Sequence, residues 1–410
     1  MVKAFIFGFL CLFLSTPMCA QVQPVKLASW NLLNYPSPSN QAADTTLRNP
    51  FYRTVVQNMN PDILVTGENT SANGTVWFLD NVMNARGNRY AKGVFINGPD
   101  SDNEIYFRDS LFDFVSNVAI ETDLRDINEF TLVYTATGDT LRIYAVHLKA
   151  SSGSSNEAQR ALEVDSLRKV TNRFLPGKNF VVCGDFNIYG SYETAYQKLL
   201  QNNPNDDGNF MDPLTMPGTW DSSIYTNYHT QSTRTVSFGG GATGGLDDRF
   251  DMILFSTAIS QGTAGITYRA GSTVPVGNDG SHYNMSINTM PNSAVPALVA
   301  NALYNASDHL PVSVILDFAL PTGTVAVNDA LSSISVFPNP VKDKLFIRLP
   351  AQRGIACYEI QNAMGSKILE KTFESTGNEI TVDVSGYLPG VYFLSIITDK
   401  GQRTFKILKN

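Results

Sequence analysis

Asp308 and His309 stand side by side in Ser307-Asp308-His309-Leu310-Pro311-Val312, just ahead of an apolar run that continues to Leu316. A strand sends neighbouring side chains to opposite faces, so an adjacent acid and imidazole can serve one ligand best at a strand's mouth, where the backbone bends. That pairing suits a metal ligand beside a proton-transfer group. Further acids, amides and a second imidazole fall at comparable places. Asn31 ends one apolar segment, Glu68 lies just past a second, His147 ends a third, Asp185 and Asn187 follow a fourth, and Asp251 lies in Arg249-Phe250-Asp251 at the start of a fifth. Two of the chain's 4 histidines belong to this set. Carboxylates and amides are hard oxygen donors, which favour Mg²⁺, Mn²⁺ or Ca²⁺ over Zn²⁺, and no Cys/His spacing typical of zinc occurs. Each residue alone has a plainer reading. Asp185 and Asn187 could form an Asx turn, Glu68 a solvated loop acid, Asn31 a turn residue and Asp251 a partner for Arg249.

The elements that must position these residues alternate along positions 22–318. Segments 25–31, 62–66, 141–147, 180–183 and 250–255 read as short apolar strands, several of them covered on both faces. Segments 44–59, 74–85, 157–174 and 192–200 carry helical spacing, and Ser155 or Asn156 would cap the third of these helices. Strand-rich stretches without an intervening helix, 105–118 and 130–134, call for mixed rather than purely parallel sheets. Two sheets packed face to face with helices outside satisfy this pattern, and ligands bind at strand ends in such layered α/β folds.

At 410 residues the chain exceeds what one core usually holds, and 43% hydrophobic content with 16% charged residues is that of a folded protein. The formal charge of −7 provides no global basic surface, so any nucleic-acid contact must rely on local Lys/Arg or on bound cations. Positions 1–20 read as a cleaved export signal: Lys3, an apolar run from Ala4 to Leu14 too short to span a membrane, then Ser15 to Ala20 leading into Gln21. Its removal leaves Cys183 and Cys357, which implies no disulfide framework, and Cys183 reads as a buried small hydrophobe. Positions 319–332 have linker composition, and 333–410 hold short strands between turn residues, the pattern of a small β-sandwich. His229 and His282, in loops rich in Gly, Ser, Thr and Asn, read as surface positions.

The set Trp30-Asn31, Gly67-Glu68-Asn69, Val146-His147-Leu148-Lys149, Gly184-Asp185-Phe186-Asn187, Arg249-Phe250-Asp251 and Ser307 to Val312 resembles the endonuclease/exonuclease/phosphatase superfamily, the DNase I-like fold. All six motifs occur in the family's order across nearly the whole of 25–318. The resemblance implies a four-layered α/β sandwich of two packed mixed sheets and hydrolysis of a phosphate ester assisted by a divalent cation, Mg²⁺ or else Mn²⁺ or Ca²⁺. It implies Glu68 as principal metal ligand with Asn31 and Asp308 nearby. Asp185 would orient or activate water, Asn187 would hold the scissile phosphate, His309 paired with Asp251 would contact phosphate or transfer a proton, and His147 would assist the leaving oxygen. Such nucleases often place a second carboxylate behind the first histidine, for which Glu104 is the best candidate. Lys149 and Arg108 are candidates for substrate contact.

Val336-Phe337-Pro338-Asn339-Pro340, Asn362-Ala363-Met364-Gly365, Val384 to Tyr392 and the basic end Phe405 to Lys409 resemble the type A sorting domain of the type IX secretion system. The resemblance implies passage through periplasm and outer membrane by that machinery, to the cell surface or the medium. Taken together, the expectation is a secreted, metal-dependent phosphodiesterase, monomeric, with no transmembrane segment in the mature chain, acting as an extracellular nuclease on DNA or RNA. A phosphatase or sphingomyelinase-type phospholipid phosphodiesterase is the alternative, and a non-catalytic surface-binding module the second. No role is assigned to loops 205–247 and 262–304.

Overall fold

The computed structural model describes residues 21–37, 47–87, 89–203, 207–237, 240–320, 334–348, 354–363, 365–375, 379–398 and 401–410. The expected export signal, most of the expected linker and the first positions of the first expected helix lie outside the described residues. The chain divides after Leu320 into two compact units.

In the first unit, one sheet contains β1 (Val22–Tyr35), β2 (Ile63–Asn69), β3 (Tyr90–Lys92), β4 (Asp102–Arg108), β11 (Ile266–Tyr268), β12 (Val274–Pro275) and β13 (Val312–Ala319). The other contains β5 (Phe112–Ile120), β6 (Ile127–Tyr134), β7 (Thr140–His147), β8 (Phe180–Asp185), β9 (Phe210–Met211) and β10 (Asp251–Ser256). Their orders are β11-β13-β1-β2-β4-β3, with β12 also on β13, and β5-β6-β7-β8-β10-β9. Each sheet is antiparallel except for one inner pair, β1 with β2 and β7 with β8. A parallel pair needs a long crossover. Helices α1 (Asn49–Met59) and α3 (Ser154–Thr171) supply them, and α2 (Ala72–Phe78), α4 (Thr194–Leu200), α5 (Thr257–Gln261) and α6 (Ala297–Ala306) are the other α-helices among the described residues.

Three apolar cores separate the layers. Val25, Leu27, Ile63, Val65 and Ile105 of one sheet meet Leu141, Ile143, Val181, Cys183 and Ile253 of the other. Trp30, Tyr35, Tyr52 and Phe78 fill the space under α1 and α2, and Tyr144, Leu167, Phe180 and Leu199 that under α3 and α4. Helix, sheet, sheet, helix is the four-layered α/β sandwich expected from the sequence. The third helix starts after Gly153 without a side-chain cap, so neither Ser155 nor Asn156 has the expected role. Helix α6, absent from the sequence expectation, packs with α1 through Val299, Ala300 and Leu303.

Strand parity links this packing to the chemistry. Residues two apart share a face, so the inward series Val25, Leu27 continues to Asn31. In the same way Ile143 and Ala145 lead to His147, Val181 and Cys183 to Asp185, and Phe255 and Ile253 back to Asp251. Four polar side chains thus top the apolar layer between the sheets. Gly184 is required at this point. Its φ is +138°, and a Cβ there would lie 2.0 Å from the Val146 carbonyl oxygen.

In the second unit, β14 (Ser335–Phe337), β15 (Lys344–Arg348) and β18 (Glu379–Asp383) form one antiparallel sheet. The other, in the order β17-β16-β19-β20, comprises β16 (Gly354–Asn362), β17 (Lys367–Ser375), β19 (Gly390–Thr398) and β20 (Gly401–Lys409). Leu345, Ile347, Tyr358, Ile360, Val382, Leu394 and Ile396 form the core between them, as a small sandwich requires.

Gly184→Ala forces backbone strain and a steric clash at the β7–β8 contact, and is expected to destabilise the first unit by at least ~2 kcal/mol. Urea unfolding of wild type and variant measures this, and a difference below ~0.5 kcal/mol, the size of an ordinary surface substitution, would contradict the close-approach argument.

Candidate active site

One carboxylate oxygen is the hub of the polar cluster above the inter-sheet core. Asp185 Oδ2 lies 3.2 Å from Asn31 Nδ2, 3.6 Å from His147 Nε2 and 3.6 Å from His309 Nε2. Its other oxygen accepts from the Asn187 N–H at 3.0 Å, so the Asx turn is real and coexists with the site role. Asn187 holds φ +51°, and its amide donates to the Leu148 carbonyl at 3.2 Å, tying the end of β8 to the end of β7.

Glu68 reaches the cluster by a break in parity. An unbroken β2 would send it outward with Leu64 and Thr66. The register with β4 shifts between Thr66 and Asn69, and Glu68 adopts φ +57°. Its Oε1 then accepts from Asn31 Nδ2 at 2.9 Å and lies 3.9 Å from His147 Nε2, while Oε2 accepts from the Asn34 N–H at 2.8 Å. Left-handed backbone at a non-glycine residue is strained and persists where surrounding contacts enforce it.

His309 enters from the segment before β13. Its Nδ1 lies 2.7 Å from Asp251 Oδ2, Trp30 Nε1–H donates to its carbonyl at 2.9 Å, and the Ser307 hydroxyl donates to the Asn31 carbonyl at 2.7 Å. Burial, the largest influence, opposes charge on His309. Asp251, then Asp185 and Asp308, outweigh it and hold the imidazole pKa well above its ordinary value. Burial, with help from Arg125 and His309, instead drives His147 well below its ordinary value. Its Nε2 faces two carboxylates, which calls for hydrogen there, and Nδ1 is buried without a partner among the described residues. Burial also raises the Asp185 carboxyl from 3.8 to about 7; His309 offsets part of this, while Asp251 and Glu68 add to it.

The remaining expectations divide. Lys149 sits on the rim after His147, but its ammonium donates to the Ala150 carbonyl at 2.9 Å. Arg108 is corrected: it pairs with Asp62 at 2.8 Å and with Asn60, at the end of β2 opposite Glu68. Glu104 is corrected as the partner of His147. It pairs with Lys92 at 2.7 Å, because β4 parity turns its neighbour Asn103, not Glu104, toward the other sheet, where Asn103 meets Asn128 and the Ala145 carbonyl. Asp308 Oδ2 accepts from the Ala242 N–H at 2.6 Å and lies 3.5 Å from Gln231 Nε2. His229 and His282 are buried, not superficial. His229 Nε2 bonds the Trp220 carbonyl, and His282 is held between Asp279 and the Thr289 carbonyl.

Sequence reasoning missed the segment Thr230 to Thr233. The Thr230 hydroxyl accepts from the Phe250 and Asp251 N–H groups, and its carbonyl accepts from Leu310 N–H, so it joins the two motifs that supply Asp251 and His309. A run of hydroxyl and amide side chains in the long loop that precedes Arg249-Phe250-Asp251 is the sequence signal for it.

Among the described residues, no group of three or more His, Cys, Asp or Glu side chains converges as a ready metal cage. The donor chemistry nevertheless fits a hard divalent cation. Glu68 and Asp185 turn carboxylate oxygens to one amide, and burial, with Asp251 and Glu68 adding to it, disfavours the charged Asp185 carboxylate that a cation would favour.

Residues 335–410 match the family model of a secretion system C-terminal sorting domain. That domain marks the chain as secreted or held at the cell surface. No helix among the described residues is long and apolar enough to cross a membrane. No curated protein matches the chain. Among solved structures, it is similar to an endonuclease/exonuclease/phosphatase family protein from Bacteroides thetaiotaomicron, with 18% identity over 73% of this chain and 100% of that one, at a TM-score of 0.44. It is similar to the human Nocturnin catalytic domain with bound sulfate, with 18% identity over 73% of this chain and 97% of that one, at 0.45. It is also similar to truncated TDP2 of Caenorhabditis elegans, with 16% identity over 72% of this chain and 98% of that one, at 0.44.

A carboxyl whose folded pKa is raised is penalised in its charged form. The penalty on folding therefore grows as pH rises from the unfolded value near 3.8 to about 7 and stays constant above. Asp185→Asn removes it and keeps an oxygen for the Asn187 N–H, so in EDTA at pH 8 the variant is expected to be more stable by at least ~1 kcal/mol, with the gain absent at pH 4. Urea unfolding at the two pH values tests this. A variant less stable at pH 8 would show that the site is not electrostatically frustrated.

Proposed function

We propose that the first unit is a secreted, divalent-cation-assisted phosphodiesterase acting as an extracellular nuclease. The observation that carries this reading is the single buried carboxylate oxygen, Asp185 Oδ2, between two imidazoles of opposite charge preference, with Glu68 alongside. Hydrolysis of a phosphodiester needs an activated water, charge on the non-bridging oxygens neutralised, and help for the leaving oxygen. Asp185, with a carboxyl near 7, exchanges a proton with water at neutral pH. His309, held as an imidazolium by Asp251, directs its Nε2–H to a phosphoryl oxygen. As the water oxygen bonds to phosphorus the bond to the leaving oxygen breaks; neutral His147 donates a hydrogen bond from Nε2 to that oxygen, which takes its proton from solvent. Asn31 and Asn187 fix the two ends of this arrangement. A bound Mg²⁺, Mn²⁺ or Ca²⁺, held by Glu68 with Asn31 nearby, would supply further charge neutralisation at the phosphate.

The formal charge of −7 provides no broad basic field for DNA, which keeps a phospholipid phosphodiester or a phosphomonoester as the second reading. The protein, incubated with plasmid DNA, RNA, sphingomyelin vesicles and a phosphomonoester in Mg²⁺, Mn²⁺, Ca²⁺ or EDTA, is expected to cleave nucleic acid only with metal. Asp185→Ala and His309→Ala are each expected to lower kcat by ~10³-fold or more. Turnover of lipid alone would overturn the nuclease reading, and no metal-dependent turnover of any substrate would leave a non-catalytic binding module.

A further inference from the structure

His309 has one ring nitrogen on Asp251, and the other, Nε2, is where the proposed reaction meets the phosphate. That nitrogen is already in contact with a residue outside the six motifs. Gln231 Nε2 lies 2.5 Å from His309 Nε2, and Asn31 Nδ2 lies 3.5 Å from the same atom. Gln231 is not there by accident of a loose loop. Its backbone forms bridges with both His309 and Asp248. Its N–H donates to the Asp248 carbonyl at 3.2 Å, and its own carbonyl accepts from the Asp247 and Asp248 N–H groups at 2.9 and 3.0 Å. Thr230 before it is fixed to Asp251 and Leu310, and the Thr233 N–H donates to the Asp308 carbonyl at 3.1 Å. A flexible side chain on a fixed backbone therefore holds the place beside Nε2 that a phosphoryl oxygen must take.

We infer that Gln231 is a substrate-contacting residue of this centre: the incoming phosphate displaces its carboxamide from His309, and the amide N–H then donates to a phosphoryl oxygen. The inference rests on the phosphodiesterase reading above and names a residue that the six motifs do not contain. Glutamine suits the task because its amide nitrogen is the atom placed against the ring, so an N–H donor already stands where an anion must bind. A donor aimed at developing charge in a site shielded from water contributes on the order of 10²-fold to kcat when it is one of several.

The amide N–H is separated from the side chain's shape by substitution. Gln231→Glu keeps the shape but has no N–H for phosphate and brings negative charge toward it. Gln231→Ala removes the side chain, and Gln231→Met keeps the volume where the alanine variant does not fold. Steady-state hydrolysis of bis(4-nitrophenyl) phosphate and of the nucleic acid cleaved by the wild type, in the metal that supports it, is measured beside thermal unfolding. Gln231→Ala or Gln231→Met is expected to lower kcat by about 10²-fold with KM changed by less than ~5-fold, and Gln231→Glu to fall at least as far while unfolding near the wild-type temperature. Activity of Gln231→Glu within ~3-fold of wild type would show that Gln231 only orients His309, and would overturn the inference while leaving the phosphodiesterase reading intact. A wild type inactive on every phosphate ester would overturn that reading, and this inference with it.

Discussion

A buried carboxylate shared by two imidazoles is the constraint on which the rest of this centre depends. Asp185 is buried, and its Oδ2 stands between His147 and His309. Taking an isolated carboxylate out of water is costly unless the group neutralises or finds charged partners. Here both outcomes are in play: the carboxyl is raised toward neutrality, and His309 is held charged against it with Asp251 behind. Two acids around one imidazolium, plus Glu68 across the Asn31 amide, leave negative charge in excess. That excess makes the site receptive to a cation.

The sheets keep these groups from relaxing apart. Each supplies one parallel pair, and the C-terminal ends of those two pairs carry Asn31 and Glu68 on one side and His147 and Asp185 on the other. Below them the apolar layer from Val25 to Ile253 is continuous, so the polar residues cannot sink. To the side, Thr230 binds the Asp251 and Leu310 backbones at once. The spacing of Asp251 and His309 is therefore set by main-chain hydrogen bonds, not by the imidazole–carboxylate contact alone. The same segment delivers Gln231.

What could be read from the sequence was the position of acids, amides and imidazoles at the ends of apolar segments, with the two-sheet architecture and the small C-terminal sandwich. The structure adds that Asn31, His147, Asp185 and Asp251 each continue an inward apolar series. Glu68, named through its motif, reaches the cluster by a register shift and a left-handed backbone that no hydrophobic pattern announces. The failures lie where a strand's phase or end was misassigned and in the loops. Glu104 was one position out of phase, and Asn103 faces the other sheet. Arg108 sits on a site strand but at its wrong end. His229, His282 and Gln231 belong to long loops whose order comes from side-chain and main-chain hydrogen bonds, which composition does not reveal. Asp308, one residue from His309, is taken up by the Ala242 N–H of such a loop.

The central claim is that Asp185 lies between a charged and a neutral imidazole. Nitrogen-15 NMR of the histidine-labelled protein in EDTA measures this directly, with His309 and His147 assigned by substitution. At pH 7.5 the account predicts an imidazolium spectrum for His309 that becomes neutral in Asp251→Asn, and a neutral spectrum for His147 with hydrogen on Nε2. A neutral His309 in the wild type, or a protonated His147, would contradict it.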